Sequence, residues 1–286
     1  MKKGKFIIES FESLTDYVNV IGGRNLNSVF ANEVPCSMNG SDSFTGTKTY
    51  NDSLILISNG YKEGLDNINE QIGKRINYQG VSSKNIPQAS VVGYAPHVPN
   101  AIAGIPQSMM STRKIQIKTK VISILYDISA SAKMSTKQMA IAGSNLLELI
   151  MMLEIQGYRV ELKIATSFCV RGQYCLSIVK VKSDKQPINP LKISYPLIHA
   201  SFFRRQGFKW VETCPEITAK SLSDGYGYPL RSVLIRYAHN IESTSDIRRY
   251  LKENTIVEEN CFYTNFYEAS DNTAEKLIKE MGITKK

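Results

Sequence analysis

Residues 121–168 read VISILYDISASAKMSTKQMAIAGSNLLELIMMLEIQGYRVELKIATSF, and this stretch decides the fold. It opens on a continuously apolar run, the pattern of a strand covered on both faces. Just upstream, Ile115, Ile117, Thr119 and Val121 alternate, so the strand is expected to begin before residue 121. Ser135 and Gln138 have the spacing of a capping box. Met139, Ala142, Leu146, Leu149, Ile150 and Leu153 then recur at helical spacing, and Gly157 follows as a stop. Val160, Leu162 and Ile164 alternate again as a second strand. Strand, long helix, strand predicts a βαβ unit with parallel strands and a right-handed crossover.

Toward the C-terminus, QYCLSIVKVKS (173–183) predicts a third strand, antiparallel because its link is short. YPLIHASFFRRQGFKWVE (195–212) reads as a helix carrying Trp210, LRSVLIRYAH (230–239) as a fourth strand, and STSDIRRYLKEN (243–254) as a capped helix. SDNTAEKLIKEMG (270–282) predicts a last helix with a capping box from Asn272 to Glu275.

Toward the N-terminus, Phe11, Leu14, Tyr17, Val18 and Ile21 mark a helix stopped by Gly22 and Gly23. A long Asn-, Ser- and Gly-rich loop follows from Asn25 to Ser43. Thr49 and Asp52 predict a capped helix ending at Asn59-Gly60, and Leu65, Ile68, Ile72 and Ile76 a second from about Lys62 to Ile76. Such a pair is a packed hairpin or a helix-turn-helix. NIPQASVVGYAPHVPNAIAGIPQSMM (85–110) carries Pro87, Pro96, Pro99 and Pro106, so an irregular crossing is expected. Val91, Val92, Tyr94, Val98, Ile102 and Ile105 are expected to lay it along the main domain. The resulting division is a helical, loop-rich segment 1–111 packed on an α/β domain 112–286.

The charge balance, Lys+Arg 35 against Asp+Glu 26, gives +9 and favours acidic partners. The basic residues are scattered, with Arg204-Arg205 and Arg248-Arg249 the densest pairs. The N-terminus lacks the unbroken apolar core of a signal peptide, since Glu9 and Glu12 interrupt it, and no segment is expected to approach the apolar length that spans a bilayer. Neither secretion nor a membrane partner is expected. Five cysteines without Cys-x-x-Cys spacing and three distant histidines (97, 199, 239) make a zinc site a poor reading and buried free thiols the expected one. VIGGRNLNS and SDGYGYP both lack the strand–loop–Lys–helix context of a phosphate loop, and no nucleophile elbow is present. His199, on an apolar helix, reads as a core histidine.

Asp127, Ser129 and Ser131 leave the first strand at alternate positions, and oxygen ligands at a parallel-sheet edge suit Mg²⁺. The same residues could instead turn the chain and accept backbone N–H bonds. Arg204 and Arg205 lie among the aromatics Phe202, Phe203, Phe208 and Trp210, a mixture found at single-strand nucleic-acid surfaces, while the helical spacing of those aromatics reads mainly as core. The turn Asp224–Pro229, with Tyr226 and Tyr228, reads as a loop with aromatic anchors, the other candidate binding surface.

The Asp-x-Ser-x-Ser element on a βαβ unit (115–167) resembles the first motif of von Willebrand factor A-like domains. That resemblance implies a mainly parallel sheet and a Mg²⁺ held with a further Thr and Asp, here Thr166 and Asp224. Thr166 ends the second strand instead of lying on a separate loop, and EITAKSLSDG before Asp224 is too polar for a buried strand. The motif therefore reads as degenerate. Four segments, SFTGTKTYNDSLILISNGYKEG (43–64), VGYAPHVPNAIAGIPQSMM (92–110), GSNLLELIMMLEIQGYRVEL (143–162) and SFFRRQGFKW (201–210), resemble an uncharacterised family of tailed-bacteriophage proteins. That likeness implies viral origin and the cytoplasm of a bacterial host.

The expected protein is α/β, with a central mixed, mainly parallel sheet flanked by helices. Its expected work is non-enzymatic binding of a protein partner, without a cofactor. Nucleic-acid binding is the alternative, and a Mg²⁺-dependent adhesion module the third reading.

Overall fold

Along β5 (Val121–Asp127), Ile122, Ile124 and Tyr126 face one side of the sheet and Leu125 the other, and all are buried. Side chains alternate across a strand, so burial of both sets requires a layer on each face. The computed structural model provides both layers. It describes residues 6–31, 34–66, 84–115, 121–170, 173–218, 228–238, 241–271, 279 and 281.

The strands in chain order are β1 (Phe6–Phe11), β2 (Lys84–Ser90), β3 (Ala95–Pro96), β4 (Met109–Ile115), β5, β6 (Arg159–Val170), β7 (Gln173–Lys182) and β8 (Cys261–Asn265). The helices are α1 (Leu14–Gly23), α2 (Tyr50–Asn59), α3 (Thr136–Ile155), α4 (Pro190–Ile198), α5 (Phe208–Thr213), α6 (Leu230–Tyr237), α7 (Thr244–Glu253) and α8 (Phe266–Asp271). A π-helical turn, Phe202–Gly207, leads into α5, and Asp42–Thr45 and Val98–Ile102 form short helical turns.

The main sheet has five strands in the order β1-β7-β6-β5-β8. Only the β6–β7 pair is antiparallel; β1–β7, β5–β6 and β5–β8 are parallel. On one face α1, α3, α4 and α5 pack over Ile122, Ile124, Val160, Leu162 and Ile164. On the other, Leu230 and Leu234 of α6 and Ile247 and Leu251 of α7 cover Leu125, Ala165 and Leu176. The α/β architecture and the βαβ unit are as expected, and so is the antiparallel β7. The capping boxes at Thr49, Ser135 and Ser243 form with both reciprocal hydrogen bonds.

α3 is the core helix, with Leu146, Leu147, Leu149, Ile150 and Leu153 fully buried. Contrary to expectation it is long and apolar enough to cross a membrane, yet it lies packed on the sheet. Gly143 lets it approach α4: a Cβ there would sit 2.0 Å from the Leu197 carbonyl oxygen.

Several expectations are corrected. Residues 230–237 form a helix, not a strand, because Leu230, Val233 and Leu234 are buried at helical spacing while Ile235 faces out. Phe11 ends a strand instead of opening a helix; Ile7 and Phe11 alternate inward, and Ser13 caps α1 by accepting from Asp16 N at 3.0 Å. β8, unanticipated, extends the parallel sheet beside β5. The boundary drawn at 111/112 falls inside β4, and β1 joins the main sheet from the segment meant to lie outside it. The expected second N-terminal helix is seen at 62–66, and its remainder lies outside the described residues, as does most of the last helix.

The proline-rich stretch departs furthest. It is neither irregular nor laid along the core. β2, β4 and β3 form a separate antiparallel sheet in that order, with Pro87 and Pro96 on its two outer strands, where a missing N–H donor is tolerated.

Candidate functional site

The polar group at the end of β5 is built by strand parity. Asp127 points toward α6, and its carboxylate is fully buried. Oδ1 accepts from Ser129 N at 3.0 Å, and Oδ2 accepts from Leu230 N at 2.8 Å and from the Tyr263 hydroxyl at 3.4 Å. Leu230 is the first residue of α6, whose N-cap, Pro229, makes no side-chain cap hydrogen bond. Asp127 therefore caps α6 from another strand, satisfying an unpaired N–H and opposing the positive helix end. Burial pushes its carboxyl from 3.8 up to about 6, against the downward pull of the Leu230 and Ser129 hydrogen bonds.

Ser129 joins the same network. Its Oγ accepts from Ser167 N at 2.7 Å and lies 3.1 Å from Ser167 Oγ, which in turn donates to the Tyr228 carbonyl at 2.6 Å. Thr166 does not join it. Its neighbours along β6 alternate, so Thr166 faces the opposite side, bonded to Ser177 Oγ at 2.5 Å. Ser131 is half-buried, its hydroxyl accepting from Lys133 N at 3.4 Å and its carbonyl from Met134 N at 3.0 Å. Asp224 and Tyr226 lie outside the described residues. Among the described residues no group of three or more His, Cys, Asp or Glu is arranged to hold a metal ion. A hydrated Mg²⁺ does not fit here: Asp127 has both oxygens committed to donors, and Thr166 is on the wrong face. Ser167 was the residue missed, and only the strand register, which the sequence leaves open, reveals it.

Arg204 and Arg205 are corrected from surface to interior, at 1% and 0% exposed. Arg205 donates to the carbonyls of Ser37 (3.0 Å), Asn39 (3.1 Å), Thr47 (2.8 Å) and Lys48 (3.1 Å) and to the hydroxyls of Thr45 (3.0 Å) and Thr47 (3.3 Å). Arg204 donates to the carbonyls of Phe44 and Met134, both at 2.5 Å, and lies over the Phe44 ring at 4.1 Å. Its Nε is buried without a partner among the described residues. Burial lowers both guanidiniums, Arg204 to about 10, so Arg204 stays charged at neutral pH. Glu212, also fully buried, accepts from Ser37 N at 3.1 Å and from the Ser37 hydroxyl. Loop 37–48 is thus clasped by side chains from one helical segment. The π-turn places successive residues Arg204, Arg205 and Gln206 inward, which an α-helical periodicity does not anticipate.

Tyr228 is half-buried, under the Arg236 guanidinium at 4.7 Å from its ring, so it anchors its turn. His199 shares its Nδ1 with Ser201 Oγ at 2.8 Å and is held by burial at about 4, neutral and structural. The five cysteines are free thiols, Cys36 half-buried and the others buried.

The exposed chemistry lies elsewhere. No residue from Pro87 to Thr112 is buried. Val91 is 65% exposed, Val92 78%, Tyr94 68%, Val98 57%, Ile102 83% and Ile105 44%. From Ile86 to Thr112 there is also no Asp, Glu, Lys or Arg. Other exposed large apolar residues, such as Ile55, Ile141 and Ile235, come from separate elements. An arm that is apolar, uncharged and open to solvent is the signature of a surface meant to be covered. Its absence of charge was legible in the sequence.

A family described as a domain of unknown function (DUF7192) matches residues 2–285. The chain belongs to that family. Its match runs across arm and α/β body alike, so the two are parts of one family unit. No curated protein and no solved structure matches the chain.

Proposed function

We propose that the chain is a non-enzymatic protein that works by binding another protein through the arm at residues 84–115. The observation that carries this reading is the charge-free run from Pro87 to Thr112, none of whose residues is buried. Interface centres are depleted in charge and enriched in aromatic residues and methionine, and Tyr94, Met109 and Met110 fit that composition. Asp127, Ser129, Ser167 and Arg205, the buried polar side chains described above, are engaged with the fold's own donors and acceptors.

The four segments resembling tailed-bacteriophage proteins support a phage origin, with the cytoplasm of a bacterial host as the place of action. The βαβ unit carrying Asp-x-Ser-x-Ser supports a von Willebrand factor A-like reading of the body. Asp127 in its helix-capping role speaks against the Mg²⁺-dependent adhesion reading. The nucleic-acid reading has lost Arg204 and Arg205 as its surface, leaving only scattered charge.

A photo-reactive residue placed at Ile102, compared with one at Ile141 on α3, tests the proposal in cells carrying the protein. Covalent protein adducts are expected from Ile102 and not from Ile141. Equal labelling at both sites, or none at Ile102, overturns the arm as the binding surface. Nucleic-acid adducts in place of protein would restore the alternative.

A further inference from the structure

The proposed arm has a specific problem of its own. A small antiparallel sheet gains by covering its apolar side chains, and this one contributes no buried residue between Pro87 and Thr112. The described residues of the body offer no second apolar cluster against which the arm could fold. The missing layer must be uncharged and apolar. One surface of that chemistry is on the page, the arm itself.

We infer that the arm's occupant is the arm of a second copy of this chain, packed tip to tip about a two-fold axis. The inference rests on the reading of the arm as a binding surface and adds the identity of the partner. Two further observations favour it.

The first is area. At their observed exposures, Val91, Val92, Tyr94, Val98, Ile102 and Ile105 leave on the order of 700 Å² open, close to the roughly 800 Å² per partner of a standard interface. A two-fold pairing doubles that patch against itself, as isologous dimers do.

The second is edge chemistry. An exposed small sheet would ordinarily recruit further strands along its edges and grow into open aggregates. Here β2 carries Pro87 and β3 carries Pro96, so both outer strands lack a donor. Edge addition is discouraged on both sides, leaving association through the apolar tip, which closes at two. The absence of charge also means that the +9 of the chain is not concentrated where the copies meet.

Sedimentation of the full-length chain, over a concentration series and at low and high salt, tests this. A concentration-dependent dimer is expected that salt leaves intact or strengthens, since its contact has no charge to screen. Val92→Ser combined with Ile102→Ser should yield a monomer with an unchanged circular dichroism spectrum. A parent that remains monomeric at its highest soluble concentration overturns the second copy as occupant. Protein adducts from Ile102 would still uphold the arm as a binding surface for a different partner. A dimer that survives the double substitution overturns the inference too, by placing the contact elsewhere. Association that continues past two into larger species rejects the closed pairing.

Discussion

Arg204-Arg205 and the arm from Pro87 to Thr112 are mirror images in chemistry. One is a pair of charges almost wholly removed from water, the other a set of apolar side chains largely open to it. Residue type alone would have placed them the other way round. The difference is set by available partners. Arg205 has six acceptors waiting in loop 37–48, which compensate a buried guanidinium by hydrogen bonding without a carboxylate. Ile102, at 83% exposed, stays out.

If that account is right, Arg205 is the costliest side chain to remove. Arg205→Met leaves several buried carbonyls and hydroxyls without a donor and releases the loop, with an expected loss of about 3–5 kcal/mol. Arg204→Met, which removes two carbonyl bonds and also an unpaired buried Nε, should cost less, about 1–2 kcal/mol. Urea denaturation of both variants checks the order. Equal midpoints would mean that burial, and not the number of acceptors, sets the cost.

Asp127 lies between the two extremes as a buried charge with fewer partners. Asp127→Ala strands the Leu230 and Ser129 N–H groups and is expected to cost about 1–3 kcal/mol at neutral pH. Its folded value, about 6, is above its ordinary 3.8. The stability it contributes is therefore fully present below about pH 4 and declines as pH rises through 6. The rise from 3.8 to about 6 is worth roughly 3 kcal/mol between those limits. Parent and variant should differ more at pH 4 than at pH 7, and the difference cancels other carboxylates. A gap that narrows on acidification would mean that the carboxylate is favoured, not penalised, by its surroundings. Millimolar Mg²⁺ should leave both melts unchanged; a rise in the parent alone would restore the metal reading.

How legible all this was depended on whether the deciding contact is local. The α3 helix, its Ser135–Gln138 cap and the two strands it joins follow from spacing within one stretch and are found there, except that Ile115, expected to open the first strand, ends β4 of the other sheet while β5 begins at Val121. β1 and β8 are short, and their place in the sheet is fixed by pairing with β7 and β5, distant in sequence. Residues 230–237 mix β-branched and aromatic residues that favour strands, while burial of Leu230, Val233 and Leu234 decides for helix. At the candidate site, Asp127 was visible as an acid ending an apolar strand. Its partners Leu230 N and Ser167 were not, because they belong to register and to a helix misread as a strand. The arm was misjudged by a general rule, that apolar residues go inside, which runs only one way.

The smallest expected effect sharpens the comparison most. Val92→Ser and Ile102→Ser each trade a large apolar side chain for a hydroxyl, a change that within a core costs several kcal/mol. On the arm there is no packing to lose and no donor to bury, since these residues are 78% and 83% exposed. Surface substitutions of that kind fall within about 0.5 kcal/mol of the parent. Each single variant should therefore match the parent in urea midpoint and slope when measured at concentrations low enough to keep the chain monomeric. A loss of core size in that regime would mean that Val92 or Ile102 is covered within one chain, and the arm would cease to be a free surface. A loss that grows only with concentration would locate the cover in a second molecule, because only association makes stability depend on how much protein is present.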